Sequence, residues 1–253
     1  MRPYILAETN WITVKDQQYD LAVLPWAATE AHNYHLPYSA DVIEAERISA
    51  GAAGHAWDRG AKVIILPTIP IGVNTGQRDI KLDMNMNPST QFVVLKDIVD
   101  VLHHHGIFKL LIMNSHGGND FKQMIRELGV RYPDMFITTC NFYQALKLED
   151  YFDEPGDHAG EMETSLLMYL APDMVLPLNK AGKGKNKKLK ISAFHEGWAW
   201  AERKWPQVTE DTGIGNPHKA TAEKGKRYFN DLIEKIGNLM YELATTDSED
   251  LYQ

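Results

Sequence analysis

Three short segments of this chain carry more acid and imidazole than packing needs. They are T-E-A-H-N-Y-H-L-P at 29–37, followed by Asp41; N-S-H-G-G-N-D at 114–120; and D-H-A-G-E-M-E-T-S at 157–165. Together they supply Glu30, His32, His35, Asp41, His116, His158, Glu161 and Glu163. Neutral imidazoles mixed with carboxylates form the donor set of a divalent zinc, manganese or iron site. The segments lie far apart in sequence, so only folding can bring them together. That makes them candidates for one active site and not for a local metal knuckle.

The spacing inside each segment says more. Glu30 and His32 are two apart, and in an extended loop such residues point to the same side, toward one centre. Asp41 stands where a helix is due to begin, so it fits either a ligand or a first-turn acid. His35 precedes Leu-Pro and suits a hydrogen-bond partner of a ligand. His116 is followed by Gly117 and Gly118, which allow close backbone approach, and Asn119 can cap the next helix. His158 and Glu161 are three apart and share a face if the helix is already formed there. Glu163 would then lie about 140° round from His158 and serve a different partner. The triplet His103–His105 closes a helix, where imidazolium complements the dipole, and reads as surface.

The elements that must position these residues alternate. Continuous apolar runs at 21–25, 62–67, 109–114 and 135–140 read as strands buried on both faces. Helical spacing covers 41–59, 89–105 with Pro88 at its first turn, about 119–131, 159–171 before Pro172, and about 218–244. This order predicts a three-layer α/β/α sandwich with a mainly parallel sheet, and a single domain over 1–253. Each acid-and-imidazole segment follows a strand or loop and precedes a helix. Residues 177–216 lack periodicity and read as an inserted loop region or β-arm. It holds the basic run K-G-K-N-K-K-L-K at 183–190 and the aromatic cluster Trp198, Trp200 and Trp205. The basic run fits a solvated loop or a contact with an anionic partner. The tryptophans fit pocket lining or packing at a subunit contact.

Composition bounds the partners. The 253 residues carry a net charge of −8, which argues against broad nucleic-acid binding. No stretch has the apolar length of a membrane span, and the first ten residues hold no signal-peptide core. Cys140 is the one cysteine, so an intrachain disulfide is excluded and a reducing, cytoplasmic setting is expected.

The order E-x-H…D, N-x-H-G-G-N and H-A-G-E-x-E-T-S resembles the creatininase family of metal-dependent amidohydrolases. So does T-G-I-G-N-P…A-T-A-E-K-G at 212–225. The resemblance implies an α/β/α fold, two divalent ions (zinc, manganese or iron) and a homo-oligomer, often a hexamer. It maps Glu30, His32, Asp41 and His116 onto metal ligands, with Asp41 bridging, and His158 onto proton transfer. One departure matters. Family members that open creatinine have a carboxylate ligand two residues after the His116 position, where this chain has Gly118. Glu161 is then expected to replace it, with Glu163 outside the ligand shell. Creatinine becomes a doubtful substrate, and the segment at 80–90, which lacks the family's usual glycine-threonine turn, reshapes the pocket. The expected activity is hydrolysis of a small linear or cyclic amide by metal-activated water. The alternatives are another small carbonyl substrate, such as a lactone or sugar derivative, or a non-catalytic metal- or metabolite-binding subunit.

Overall fold

In the computed structural model, which describes residues 2–252, the apolar runs form a parallel sheet. Its strands are β1 (Leu21–Trp26), β2 (Val63–Ile65), β3 (Lys109–Asn114) and β4 (Phe136–Asn141), in the order β2-β1-β3-β4. The helices are α1 (Trp11–Val14), α2 (Ala40–Asp58), α3 (Pro88–His104), α4 (Lys122–Arg131), α5 (Glu161–Leu170), α6 (Ser192–Glu196), α7 (Trp205–Val208) and α8 (Ala222–Thr245).

Successive side chains of a strand point to opposite faces, and β1 divides accordingly. Leu21 and Val23 pack with Ile48 of α2, Leu166 of α5 and Leu232 of α8. Ala22, Leu24 and Trp26 pack with Leu95 and Val99 of α3 and Leu128 of α4. The sheet is therefore covered on both sides, which is the expected three-layer sandwich. Cys140 lies in β4, where burial pushes its thiol up to about 12.

The strand order sets the place of the site. The chain runs from β1 to β2 on one side, then returns to add β3 on the other side of β1. A crevice opens at such a reversal, beyond the carboxyl ends of the two strands. Glu30 and His32 follow β1, and His116 follows β3. The region 177–216 is mostly irregular. Besides α6 and α7 it holds a turn at Leu178–Lys180 and an isolated bridge between Asn186 and Thr209. Trp205 is buried, whereas Trp198 and Trp200 are exposed.

α8 crosses α5 and α2 at glycines. A Cβ at Gly225 would overlap Ser165 O of α5, and one at Gly237 would press on Ala52 O of α2. Backbone oxygens cannot move aside as a flexible side chain can. Gly225→Ala should therefore destabilise the fold by about 1–3 kcal/mol, the usual cost of overpacking. The urea midpoint measures it, and an unchanged midpoint would show that the helices can part freely.

Candidate metal centre

Four segments converge at the β1/β3 crevice. The loop after β1 brings Glu30, His32 and His35, held by Glu30 N–H donating to Tyr38 O and by a bridge between His32 and Leu36. Asp41 stands in the first turn of α2. His116 follows β3, in a turn braced by Asn114, whose Oδ1 accepts from His116 N–H (3.1 Å). His158 lies in an extended stretch bridged to Ile214. Ala159, left-handed at φ 50, then turns the chain into α5. An alanine held there signals local strain fixed by its surroundings. One such fixture is Glu163, whose Oε2 accepts the Ala159 N–H.

The side chains meet at short range. Asp41 Oδ1 is 3.0 Å from His32 Nε2, and Asp41 Oδ2 is 3.2 Å from His116 Nδ1. Glu30 Oε1 lies 3.0 Å from His116 Nδ1 and 3.7 Å from His158 Nδ1. Three groups of donor atoms are close enough to share an ion: Glu30, Asp41 and His116; His32, Asp41 and Glu163; and Glu30, His32 and His158. All these residues are buried.

Main-chain oxygens set the tautomers. His32 Nδ1 faces Glu30 O (3.1 Å), His116 Nε2 faces Val73 O (3.0 Å), and His158 Nε2 faces Ala31 O (2.9 Å). A carbonyl can only accept, so each of those nitrogens carries a proton and the other points inward, toward the acids. The electrostatics agree. Burial opposes the charge on Glu30, yet His116 and His158 outweigh it and hold the carboxyl below the usual carboxylate range. Asp41 is lowered against burial in the same way by His32 and His116. Burial pulls His32 and His116 down, but Asp41 and Glu30 respectively raise both well above ordinary imidazole. The acids thus demand cations between them.

A metal fits that demand. His32 Nε2 and Asp41 Oδ2 are buried and have no hydrogen-bond partner among the described residues. At 3.0 Å His32 Nε2 and Asp41 Oδ1 are not aligned to bond each other, which suits two donors aimed at a third atom. The mixed nitrogen and oxygen set suits zinc, manganese or iron.

The two acids of α5 are placed the other way round from the sequence expectation. Glu161 is turned away: Oε1 pairs with Lys224 Nζ (2.5 Å) and Oε2 accepts Glu154 N–H (2.6 Å). Glu163 instead joins His32 and Asp41. The reason is where the helix begins. α5 starts at Glu161, so His158 is extended and the three-apart rule does not reach it. Inside the helix, residues two apart diverge by about 200°, which sends the two acids to opposite faces.

Asn119 does not cap α4, which begins at Lys122 with Phe121 at its cap. Its amide instead braces the His116 turn, donating to Asn114 Oδ1 (2.9 Å) and accepting from Val73 N–H (3.0 Å) and Gln91 (2.9 Å). His35 stands behind the cluster, with Nε2 2.9 Å from Thr164 Oγ1. Gly118 leaves no room for a ligand, since a Cβ there would overlap Val73 O and the His116 ring. Two site residues escape the sequence reading. Gln77 donates to Glu30 Oε2 from the 74–90 segment. Glu44, one turn along α2 from Asp41, is buried with both carboxylate oxygens unpartnered among the described residues. Burial, then Glu163 and Asp41, push its pKa well above the carboxylate range, which favours its neutral form. Neither had a motif, and Glu44 reads as one more polar residue of a helix.

Residues 7–240 match the family model described as creatininase, creatinine amidohydrolase. The chain belongs to the creatininase family. A crystal structure from Bacteroides fragilis, named provisionally as a creatinine amidohydrolase, has a TM-score of 0.93 at 41% identity and covers 100% of both chains. A creatininase described with Mn shares the fold at TM-score 0.80 and 18% identity, covering 96% of this chain and 99% of that one. So does a mutant creatininase complexed with creatine, at TM-score 0.77 and 20% identity, with 94% and 98% covered. A mycofactocin precursor peptide peptidase of Mycobacterium ulcerans is 23% identical over 220 residues, 84% of this chain and 81% of that protein. A creatinine amidohydrolase of Pseudomonas putida is 25% identical over 176 residues, 60% and 65% of the two chains.

His35 gives the site a signature in acid. Burial first, then His218 and His32, push its pKa down to about 4. The unfolded chain takes up this proton near about pH 6.5, while the folded chain resists it. Folded stability from this group is therefore full above that pH and is lost as pH falls from about 6.5 toward 4. His35→Gln keeps a polar partner for Thr164 and cannot charge. It should flatten the fall of the urea midpoint through that window, and equal slopes in both proteins would contradict the assignment.

Proposed function

We propose that the chain is a metal-dependent hydrolase of a small linear or cyclic amide. One observation carries this reading: Asp41 turns one oxygen to His32 and the other to His116, and each histidine has a further carboxylate, Glu163 or Glu30, beside it. Two three-donor sets sharing one carboxylate make a shape for two cations. Two divalent ions against the three carboxylates would leave one positive charge, and when bound they supply a water of lowered pKa and an electrophile for the substrate carbonyl.

The chain's own residues do the rest. Glu30, Asp41 and His116 would hold one ion; His32, Asp41 and Glu163 would hold the other. Glu163 then fills the role that Gly118 leaves open. His158 keeps its Nε2 proton on Ala31 O, so Nδ1 is the atom that would take up the proton released by the attacking water and pass it to the leaving nitrogen. Burial of the cluster keeps bulk water from competing for these donors. Creatinine is expected to be a poor substrate or none, because position 118 carries no carboxylate and the 80–90 segment lacks the family's usual turn. The peptide peptidase relative extends the range to the amide bond of a peptide, and a panel of small amides, formamides and short peptides would test it. We also infer a homo-oligomer that uses the exposed Trp198 and Trp200, for which light scattering should give more than one protomer. The inferred setting remains the cytoplasm, and no helix among the described residues is long and apolar enough to cross a membrane.

The acids separate the readings. Glu163→Gln should lose one equivalent of metal and most turnover. Glu161→Gln should keep its metal and lose only stability through Lys224. Metal analysis beside melting curves decides, and the reverse ranking would overturn the assignment. His158→Ala should retain metal and lower turnover on unactivated amides by about 10²–10⁴-fold, the usual contribution of a general acid. Metal lost in parallel with activity would make His158 a ligand in the group it forms with Glu30 and His32.

A further inference from the structure

His158 is held on three sides. Its Nε2–H donates to Ala31 O, and one face lies against His32, with ring centroids 4.1 Å apart. The third contact is Trp205, edge-on at 5.3 Å and 87°. The first two belong to the loop that builds the metal centre. Trp205 comes from the irregular region 177–216, which the proposed chemistry has not used.

Trp205 is tied to the same acceptor by a second route. Its Nε1–H donates to Thr212 O (3.1 Å), and Thr212 Oγ1 donates to Ala31 O (3.3 Å) while accepting Asn33 N–H (2.9 Å). The residues before it fasten to both rims of the site. The Arg203 guanidinium stacks on the Trp205 ring at 4.5 Å and pairs with Asp157, next to His158. Glu202 bonds Thr75 Oγ1, and Arg203 O presses on Gly76, where a Cβ would overlap it. The next residue, Gln77, donates to Glu30. Residues 202–205 therefore form a strap from the Glu30 side of the centre to the His158 side.

We propose that Trp205 is the positioning residue for His158, and that the strap exists to seat it. This rests on the reading of His158 as the proton donor. An imidazole on a flexible Cβ can rotate, and a general acid misplaced by about 1 Å can lose about 10²-fold in rate. His32 and Trp205 both pack against the ring and resist that rotation. Trp205 is itself a member of none of the three donor groups, so it acts through the His158 imidazole.

Trp205→Ala should lower kcat on an unactivated amide by about 10- to 10²-fold with KM and metal content near wild type. Trp205→Phe, which keeps an aromatic edge, should restore most of that turnover. Arg203→Ala removes the stacked guanidinium without opening the core, and should give an intermediate loss even if Trp205→Ala folds poorly. In a His158→Ala background Trp205→Ala should cost nothing further. An additive loss there, or metal lost with Trp205, would overturn the proposal. A crystal structure of the zinc-loaded Trp205→Ala variant reads the position directly: a rotated or doubled His158 ring is expected, and an unmoved ring overturns the inference. If His158→Ala itself keeps full turnover, the proton-donor reading fails, and the ring position alone decides the role of Trp205.

Discussion

Three carboxylates, Glu30, Asp41 and Glu163, are packed into one buried crevice, and the rest of the site follows from what that requires. Like charges out of water cannot coexist unless cations lie between them. The histidines sit in those gaps, either as protonated partners or as the nitrogen donors of an ion. Leaving one such charge buried and unpaired costs several kcal/mol. The surrounding fold therefore fixes the acids rather than letting them part: Gln77 and the Ala159 N–H each hold one carboxylate from outside. Glu44 shows the limit of the arrangement. As a fourth buried acid beside Glu163 and Asp41, it is pushed toward its neutral form.

The ring protons of His32, His116 and His158 are held by backbone, not by other side chains. Glu30 O, Val73 O and Ala31 O each take one ring proton. In many metal sites a carboxylate does this work and also raises the basicity of the ligand. A carbonyl fixes the tautomer without adding charge, which suits a crevice already rich in negative groups. It also makes the tautomers a property of chain path. The β1 loop supplies two of these oxygens, so its shape governs two histidines at once.

Much of this was legible in the sequence. Apolar runs without alternation gave β1, β3 and β4 nearly to the residue, because strands buried on both faces need no polar side. The convergence of Glu30, His32, Asp41 and His116 followed from their places after strands and before helices. Helix starts were less legible, and α5 shows why that matters. A two-residue difference in where it begins turns Glu161 toward Lys224 and Glu163 toward His32. Nothing in H-A-G-E-M-E marks the start, since the left-handed Ala159 that delays it has no preference for that conformation. The three tryptophans of the arm look alike in sequence, yet only Trp205 is buried. Its partners, Thr212 and Arg203, are set by how an irregular segment folds back, which periodicity cannot show.

Gly118 has an evolutionary reading. The turn after β3 brings Val73 and the His116 ring into the space that a side chain at 118 would take. A carboxylate written into that position by one codon change would meet backbone before it met a cation. Gaining a ligand there would require the 72–73 segment to retreat, and His116 would lose its carbonyl support from Val73 in the same move. With Glu163 already pointing into the cluster, such a step passes through a protein with one donor too many and another misaimed. A side chain at 118 and the present loop path thus exclude each other, and mutational drift at position 118 alone does not add a donor there.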